Sequence, residues 1–415
     1  KEPFFCFVCT RIFDHGWQMR ARHHFCARSL STVVHSVLLF RSQNFSLCQF
    51  SLFPTTKASA FSSYNRAPSH SFYTGPTMQQ VLVCNGIEQP CDLNSEQFLL
   101  KFPRGPYTTA RTHLSSRIFE FEFHNRRIAE STALMVQAGS LARPADFEKL
   151  VDPECLRDPY LECSRRAVSL FRQRSPECGE IKLTTLLTVD STGGPHRLFV
   201  HAQPLGERPA TPVKIQIMGA PRSNAQAKDS GWVADRQALW QSRAPDVHEV
   251  VLCGKEDEAL YEGLSSNFFV IMRNEEGTPV VRTAREGVLL GTVRNLALRL
   301  CDALGMQVDE RPPTLAEKDM WEEVFISSTS RWVLPVSQVV MPDGTEWHPS
   351  SCALTRALYE RLLDEVDDNS TPLAAPPPPA AVGADESDPD FAVPSLLKQL
   401  LDKAAKGKAQ GNSPP

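Results

Sequence analysis

The chain has 415 residues, room for two domains, and its 41% hydrophobic and 22% charged content is ordinary for a globular protein. A net charge of -4 argues against a general nucleic-acid binder, and no apolar run is long enough to span a bilayer as a helix. The 12 cysteines are scattered without the spacing of a secreted disulfide framework and read mostly as reduced thiols.

Residues 1–77 stand apart from the rest. They hold two acids, Glu2 and Asp14, against eight Lys and Arg, and they are rich in Ser and Phe with poor hydrophobic periodicity. That is the composition of a disordered leader and of an organelle transit peptide, so import into a plastid or mitochondrion is expected, with cleavage before about Met78. If Met78 is the true start, a cytoplasmic location is expected instead. Within this leader Cys6, Cys9, His23 or His24, and Cys26 are a conceivable zinc quartet. The later cysteine pairs of a lipid-binding zinc finger are missing, so no metal site is expected there.

Residues 78–204 read as a small α+β domain. "MQQVLVCNGIEQP" is a short apolar strand followed by Asn85-Gly86, a strong hairpin turn. "RIFEFEF" alternates as a strand does, "HNRRIAESTALMVQAG" follows as a helix, and "IKLTTLLTVD" and "HRLFVHAQP" are two further strands around "STGG". The Pro- and Gly-rich residues 205–212 are the interdomain linker. A second, larger domain is expected over 213–365. It contains the strands "HEVVLC", "LYEG", "NFFVIM", "PVVRT" and "EVFISS" and the helix "TVRNLALRLCDALG", whose Val293, Leu296, Leu300 and Leu304 share one face. Residues 366–415 read as a disordered Pro/Ala-rich tail, with a short amphipathic helix at 395–406.

Several familiar chemistries are missing. Gly193-Gly194 lacks the strand and helix of a dinucleotide loop, and there is neither a nucleophile elbow nor a Walker loop. His124 and His196, as lone histidines, read as structural. What stands out is "YEGLSSNFFVI". It places one acid, Glu262, and the small polar Ser265, Ser266 and Asn267 at the lip of a fully apolar strand. Two further segments join it. "NAQAKDSGW" sets Lys228 among small residues, and "GVLLGTVRNLAL" puts a glycine at a helix N-terminus, where free N–H groups and the helix dipole favour a phosphate.

Taken in order, these segments and "EVFISSTSRWVLPV" resemble the class IV aminotransferases over residues 78–365. These are the fold-type IV pyridoxal phosphate enzymes, which include branched-chain and D-amino-acid aminotransferases and aminodeoxychorismate lyase. "AKDSGWVADRQAL" is similar to the version in a plant-type branch. The resemblance implies an α+β, two-domain D-amino-acid aminotransferase-like fold, with a small α+β domain and a larger barrel-like α/β domain. It also implies pyridoxal 5'-phosphate as cofactor, an amino acid and a 2-oxo acid as substrates, and a homodimer.

The resemblance assigns roles residue by residue. Lys228 is the catalytic lysine that holds the cofactor aldehyde and moves protons. Glu262 is the carboxylate beside the pyridine nitrogen, with Ser266 and Asn267 helping to position it. Arg127, Gly291, Thr292, Val293 and Thr329 surround the phosphate, Leu289 packs on the ring, and Tyr107 lines the substrate side. The chain departs from the family pattern in places. Val293 replaces a usual threonine, and the entry segment lacks its usual acid. "TVDSTGGPHR" does not reproduce the carboxylate trap of D-alanine-type enzymes, and Asp190 stands where positive charge is wanted, which argues against D-amino-acid transamination. Arg331 and Arg197 are the candidates for a substrate carboxylate. The expected activity is transamination; a lyase-type carbon–carbon cleavage and a catalytically weak binding protein are the alternatives.

Overall fold

The computed structural model describes residues 80–373, apart from 142 and 190–193. The basic leader with its cysteine and histidine quartet, the helix expected at 395–406, and Asp190 lie outside the described residues. Among the described residues no helix is long and apolar enough to cross a membrane, and no group of three or more His, Cys, Asp or Glu is placed to hold a metal ion.

The first part of the chain runs β1 (Val81–Cys84), β2 (Ile87–Gln89), α1 (Ser95–Lys101), β3 (Tyr107–His113), β4 (Arg117–Phe119), α2 (Phe121–Gln137), α3 (Pro153–Arg174), β5 (Ile181–Thr188) and β6 (Arg197–Pro204). Asn85 and Gly86, both at positive φ, make the β1–β2 turn, as the Asn-Gly signal requires. Asn94 caps α1 by accepting from the N–H groups of Glu96 and Gln97. β1, β3, β5 and β6 alternate side chains between two apolar layers. Val81, Val83, Ala110 and Leu183 meet α2 and α3, whereas Leu82, Tyr107 and Leu186 pack with Phe98 and Leu99 of α1.

The strand expected over "RIFEFEF" ends early. Glu120 adopts a left-handed backbone at φ 51°, which turns the chain out of β4 and straight into α2 at Phe121. Its alternation is therefore only local: Ile118 and Phe121 are both fully buried, but in different elements.

The second part contains β7 (Val213–Ile217), α4 (Gly231–Asp235), α5 (Gln237–Ser242), β8 (Glu249–Cys253), β9 (Leu260–Gly263), β10 (Asn267–Arg273), β11 (Pro279–Arg282) and α6 (Thr292–Cys301). It continues through β12 (Gln307–Asp309), β13 (Glu323–Ser328), β14 (Trp332–Val340), β15 (Glu346–Trp347), α7 (Ala353–Glu365) and β16 (Ser370–Pro372). Strands β10, β13, β14, β7, β8 and β9 are hydrogen-bonded in that order, and β9 pairs back to β10, which closes a barrel. β10 explains why its sequence is apolar without a break. Phe268 and Val270 point into the barrel with Ile215, Val251 and Leu334, while Phe269 and Ile271 lie outside under Leu296, Leu300 and Leu358 of α6 and α7. A strand buried on both faces has no use for a polar alternation.

Residues 205–212 are fastened at both ends. Leu205 N–H donates to Glu180 O, and the Arg208 guanidinium donates to the carbonyls of Arg331 and Val333. The tail expected from residue 366 onward begins later than that. Val366 is buried, Ser370–Pro372 pair with β4, and Leu373 joins the core under α2 and α3. The chain thus returns to the first sheet, whose order is β16-β4-β3-β5-β6-β1-β2. A Pro- and Ala-rich composition begins only after this added strand, which is why 366 looked like the boundary.

Candidate active site

A cavity of about 510 Å³ lies where β3, β5 and α2 face the open end of the barrel. Small-molecule sites occupy roughly 300–1,000 Å³. Lys228, Arg127, Glu262, Ser266, Asn267, Leu289, Gly291, Thr292, Val293, Thr329, Tyr107 and Arg331 all line it. Arg197, His124 and His196 are not part of its lining.

Lys228 is held by its backbone. Its N–H donates to Ser131 Oγ of α2 at 3.0 Å, and its carbonyl accepts from Tyr107 N–H at 2.9 Å. The zip continues with Ser230 N–H donating to Gly105 O and Gly105 N–H donating to Ser230 Oγ. Gly105 has to be glycine, because a Cβ there would sit 2.0 Å from Leu187 O. The lysine side chain, half-buried, projects over Tyr107 with Nζ 4.8 Å from the ring centre. Burial, then Arg127, Arg236 and Arg222, hold the amine well below the ordinary lysine range. A lowered pKa leaves more of the amine in its free-base form, the form that acts as a nucleophile and a proton acceptor.

Glu262 is buried on β9 beside it. One carboxylate oxygen accepts from Arg222 Nε at 2.7 Å and the other from Leu289 N–H at 2.8 Å. Burial raises its pKa, and Arg222 and the Leu289 N–H oppose that rise. Opposite it in the β9–β10 register stands Asn267, whose amide donates to Leu289 O at 2.6 Å. Ser266 lines the same lip. Its hydroxyl donates to Glu249 at 2.9 Å, so it anchors the lip from below.

The far wall is an anion cradle. α6 begins at Gly291 with no side-chain cap, so its first N–H groups, including those of Thr292 and Val293, are left for a ligand. Gly291 lies so close to Asn267 that a Cβ would be 2.1 Å from the amide oxygen. Arg127 is buried, donates to Leu290 O at 2.9 Å and makes no ion pair among the described residues. Thr292 Oγ1 and Ser327 Oγ are buried with no hydrogen-bond partner. Val293 itself is buried in the core under α6, so the hydroxyl on this turn is supplied by Thr292 one residue earlier. Orphaned hydroxyls, bare N–H groups and an uncompensated buried arginine together fit a phosphate.

Arg331 lines the cavity, but its charge is already matched. Its Nη2 donates to Glu249 and to Ser265 Oγ, both at 2.8 Å, and its Nε reaches Ser328 Oγ at 3.2 Å. Burial alone would raise the Glu249 pKa, but Arg331, Ser265 and Ser266 hold it below the ordinary glutamate value. Arg331 therefore braces the serine lip, and its charge is matched by Glu249 rather than left free for a substrate carboxylate.

The structure adds residues that the sequence did not single out: Lys182 on β5, Arg222, Arg236 after α4, Glu249 on β8 and Ser327 on β13. Lys182 and Glu249 stand in largely apolar strands, Arg222 and Arg236 flank the Lys228 segment, and Ser327 belongs to the "ISSTS" cluster. The only available signal was a charge at an inward strand position, as with Lys182 and Glu249.

The Amino-transferase class IV family profile matches residues 105–339. Among curated proteins, the methionine aminotransferase BCAT4 of Arabidopsis thaliana is 28% identical over 134 residues, 32% of this chain and 36% of that protein. The D-alanine aminotransferase of Bacillus licheniformis is 36% identical over 83 residues, 20% of this chain and 28% of that protein. The matched stretches thus span about a third of these curated relatives. Among solved structures, the branched-chain aminotransferase of Thermoproteus uzoniensis with norvaline superposes at a TM-score of 0.53 and 16% identity, covering 71% of this chain and 99% of that one.

Proposed function

Because the chain belongs to the class IV aminotransferases, a family of pyridoxal phosphate enzymes, we propose that it transfers an amino group between an amino acid and a 2-oxo acid, with Lys228 as the catalytic residue. The observation that carries this reading is the Lys228 amine facing the cavity that also holds Glu262 and the uncapped start of α6. Bound pyridoxal phosphate supplies an aldehyde that takes up an amino group and a ring that accepts the electrons left at the substrate α-carbon.

The residues divide the remaining work. The N–H groups of Thr292 and Val293, the Thr292 and Ser327 hydroxyls and Arg127 would hold the phosphate, with Thr329 at the same wall. Glu262, whose rise in pKa on burial Arg222 opposes, would face the ring nitrogen and, when ionised, favour its protonated form. Leu289 would pack its side chain on the ring, while its backbone is fixed by Glu262 and Asn267. Lys228 would bind the aldehyde carbon through Nζ. Once released, it would carry the α-proton of the substrate, a step in which a positioned base contributes about 10²–10⁴-fold. Tyr107, under Lys228, limits where the amine can swing.

The family resemblance supports a homodimer, read by sedimentation. The basic, acid-poor residues 1–77 support a targeting role, read by mass spectrometry of the mature N-terminus.

The test is transfer of isotopic nitrogen. Holoprotein given a panel of ¹⁵N-labelled amino acids and 2-oxo acids is expected to pass the label to the oxo acid. Release of pyruvate from aminodeoxychorismate with no new amino acid would reassign the site to lyase chemistry. Cofactor retention without turnover of any donor would make the chain a binding protein.

A further inference from the structure

The hairpin between β13 and β14 turns at Thr329, Ser330 and Arg331, with Ser328 paired to Trp332. Arg331 N–H donates to Ser328 O at 3.2 Å, and the chain leaves this turn through a left-handed residue. Such an exit usually falls to glycine, which takes a positive φ without penalty. Here it falls to Trp332, at φ 59°. A bulky side chain keeps that backbone only where its surroundings over-determine it.

The surroundings do so twice over. The buried indole stands edge-on to Phe119 of β4, with ring centres 4.7 Å apart, and the Arg111 guanidinium of β3 lies 4.2 Å from its centre. The backbone is held by Arg208 of the linker. Arg208 Nε donates to Arg331 O at 3.1 Å and Nη2 donates to Val333 O at 2.8 Å, so one planar fork grips the carbonyls on either side of Trp332. The fork is itself fixed. Arg208 Nη1 donates to Pro209 O at 3.3 Å, and the guanidinium lies 4.0 Å from the ring centre of Tyr359 in α7.

The hairpin so held reaches the cavity, whereas Arg208 does not. Ser328, Thr329, Ser330 and Arg331 all line it, and Arg331 goes on to Glu249 and Ser265. Residue 332 is the point at which this segment joins the barrel, so a backbone that relaxed there would carry all four with it.

We propose that Arg208 is a positioning residue for the cofactor phosphate. By pinning the two carbonyls that flank the left-handed Trp332, the linker sets the hairpin that offers Thr329 to the phosphate wall. The proposal rests on the reading that this wall holds the phosphate of pyridoxal phosphate.

The experiment is equilibrium dialysis of the full chain against pyridoxal 5'-phosphate and, separately, against pyridoxal, which lacks the phosphate. The native chain is expected to prefer the phosphate form. Arg208→Met should cut that preference about tenfold, the equivalent of one hydrogen bond, and leave pyridoxal binding in place. Arg208→Lys keeps the charge but not the fork, so it should behave as Arg208→Met does, and it carries the test if the methionine variant does not fold. A native preference in either variant would overturn the proposal. An equal loss of both ligands would do the same, because Arg208 would then serve the fold alone. Thr329→Val separates this failure from that of the cofactor reading. If Thr329→Val loses the preference and the Arg208 variants keep it, the proposal falls and the phosphate wall stands. A native chain that binds both ligands equally refutes the phosphate wall and the proposal together.

Discussion

Glu262 and Asn267 face each other across the rung that closes the barrel, and between them they grip both polar groups of one residue. Glu262 accepts from Leu289 N–H at 2.8 Å, and the Asn267 amide donates to Leu289 O at 2.6 Å. The loop that leads into α6 is thereby fixed to the barrel two residues before the phosphate cradle begins. Any shift of β9 against β10 would be passed to the start of α6.

This clamp makes Gly291 a sensitive position. A methyl group there meets the Asn267 oxygen at 2.1 Å, so Gly291→Ala must displace the amide and release Leu289 O. The expected cost is about 1–3 kcal/mol, as for other overpacked sites, and it should show as weaker cofactor retention in equilibrium dialysis. Asn267→Ala added to Gly291→Ala removes the clash, so the double variant should lose less than the sum of the two single ones. Strictly additive losses would mean the two residues do not meet.

Arg222 tunes the acid. Burial pushes the Glu262 carboxyl up and Arg222 holds it down. Arg222→Met should therefore raise its pKa further, so that Glu262 takes up its proton at a higher pH than in the native protein. The acid limb of the pH–rate profile for kcat should move to higher pH, with the alkaline limb in place. An unmoved acid limb would detach Glu262 from the rate.

Lys182 gives a stability signature of its own. Burial, chiefly, and then Arg236 lower its pKa to about 8 in the folded chain, against about 10.4 unfolded. Below about 8 both states carry the proton, and the native state bears the full cost of the buried charge. Between those two values the unfolded chain binds the extra proton, so native stability rises with pH through that window. Lys182→Met should accordingly be more stable than the native chain at pH 7, by at most roughly 3 kcal/mol, with the difference fading toward pH 10.4. Thermal melts at pH 7 and pH 10 measure this, and a difference that does not change with pH would contradict it.

How much of this could be read from the chain depended on whether the signal was local. Asn85-Gly86, the apolar run of β10 and the one-sided leucines of α6 are patterns within a few residues, and the turn, the strand and the helix stand where those patterns lie. Lys228, Glu262 and Gly291 were legible because each sits in a distinctive short motif. Glu249 and Arg331 were not legible as a pair, since 82 residues separate them and only the barrel brings them together. Arg331 alone therefore looked like a free cation. Lys182 is a single charge within a strand, and Arg222 and Arg236 flank Lys228 without a pattern of their own; which of these cations acquires a partner is decided only on folding. α3 carries Pro159 in its interior, which argues against a helix, although its buried Leu156, Tyr160, Ala167 and Phe171 recur at helical spacing. "RIFEFEF" gave a false signal, because nothing in it announced the left-handed turn at Glu120.

The central claim is that the Lys228 amine is the attachment point for pyridoxal phosphate. The most direct measurement is borohydride reduction of the protein with added cofactor, followed by peptide mass mapping, with Lys228→Ala alongside. The account predicts a yellow native protein whose single pyridoxyl mass increment maps to the peptide carrying Lys228, and a variant that acquires neither colour nor label. A native protein that takes up no cofactor, or a label on Lys182 with Lys228 unmodified, would contradict it.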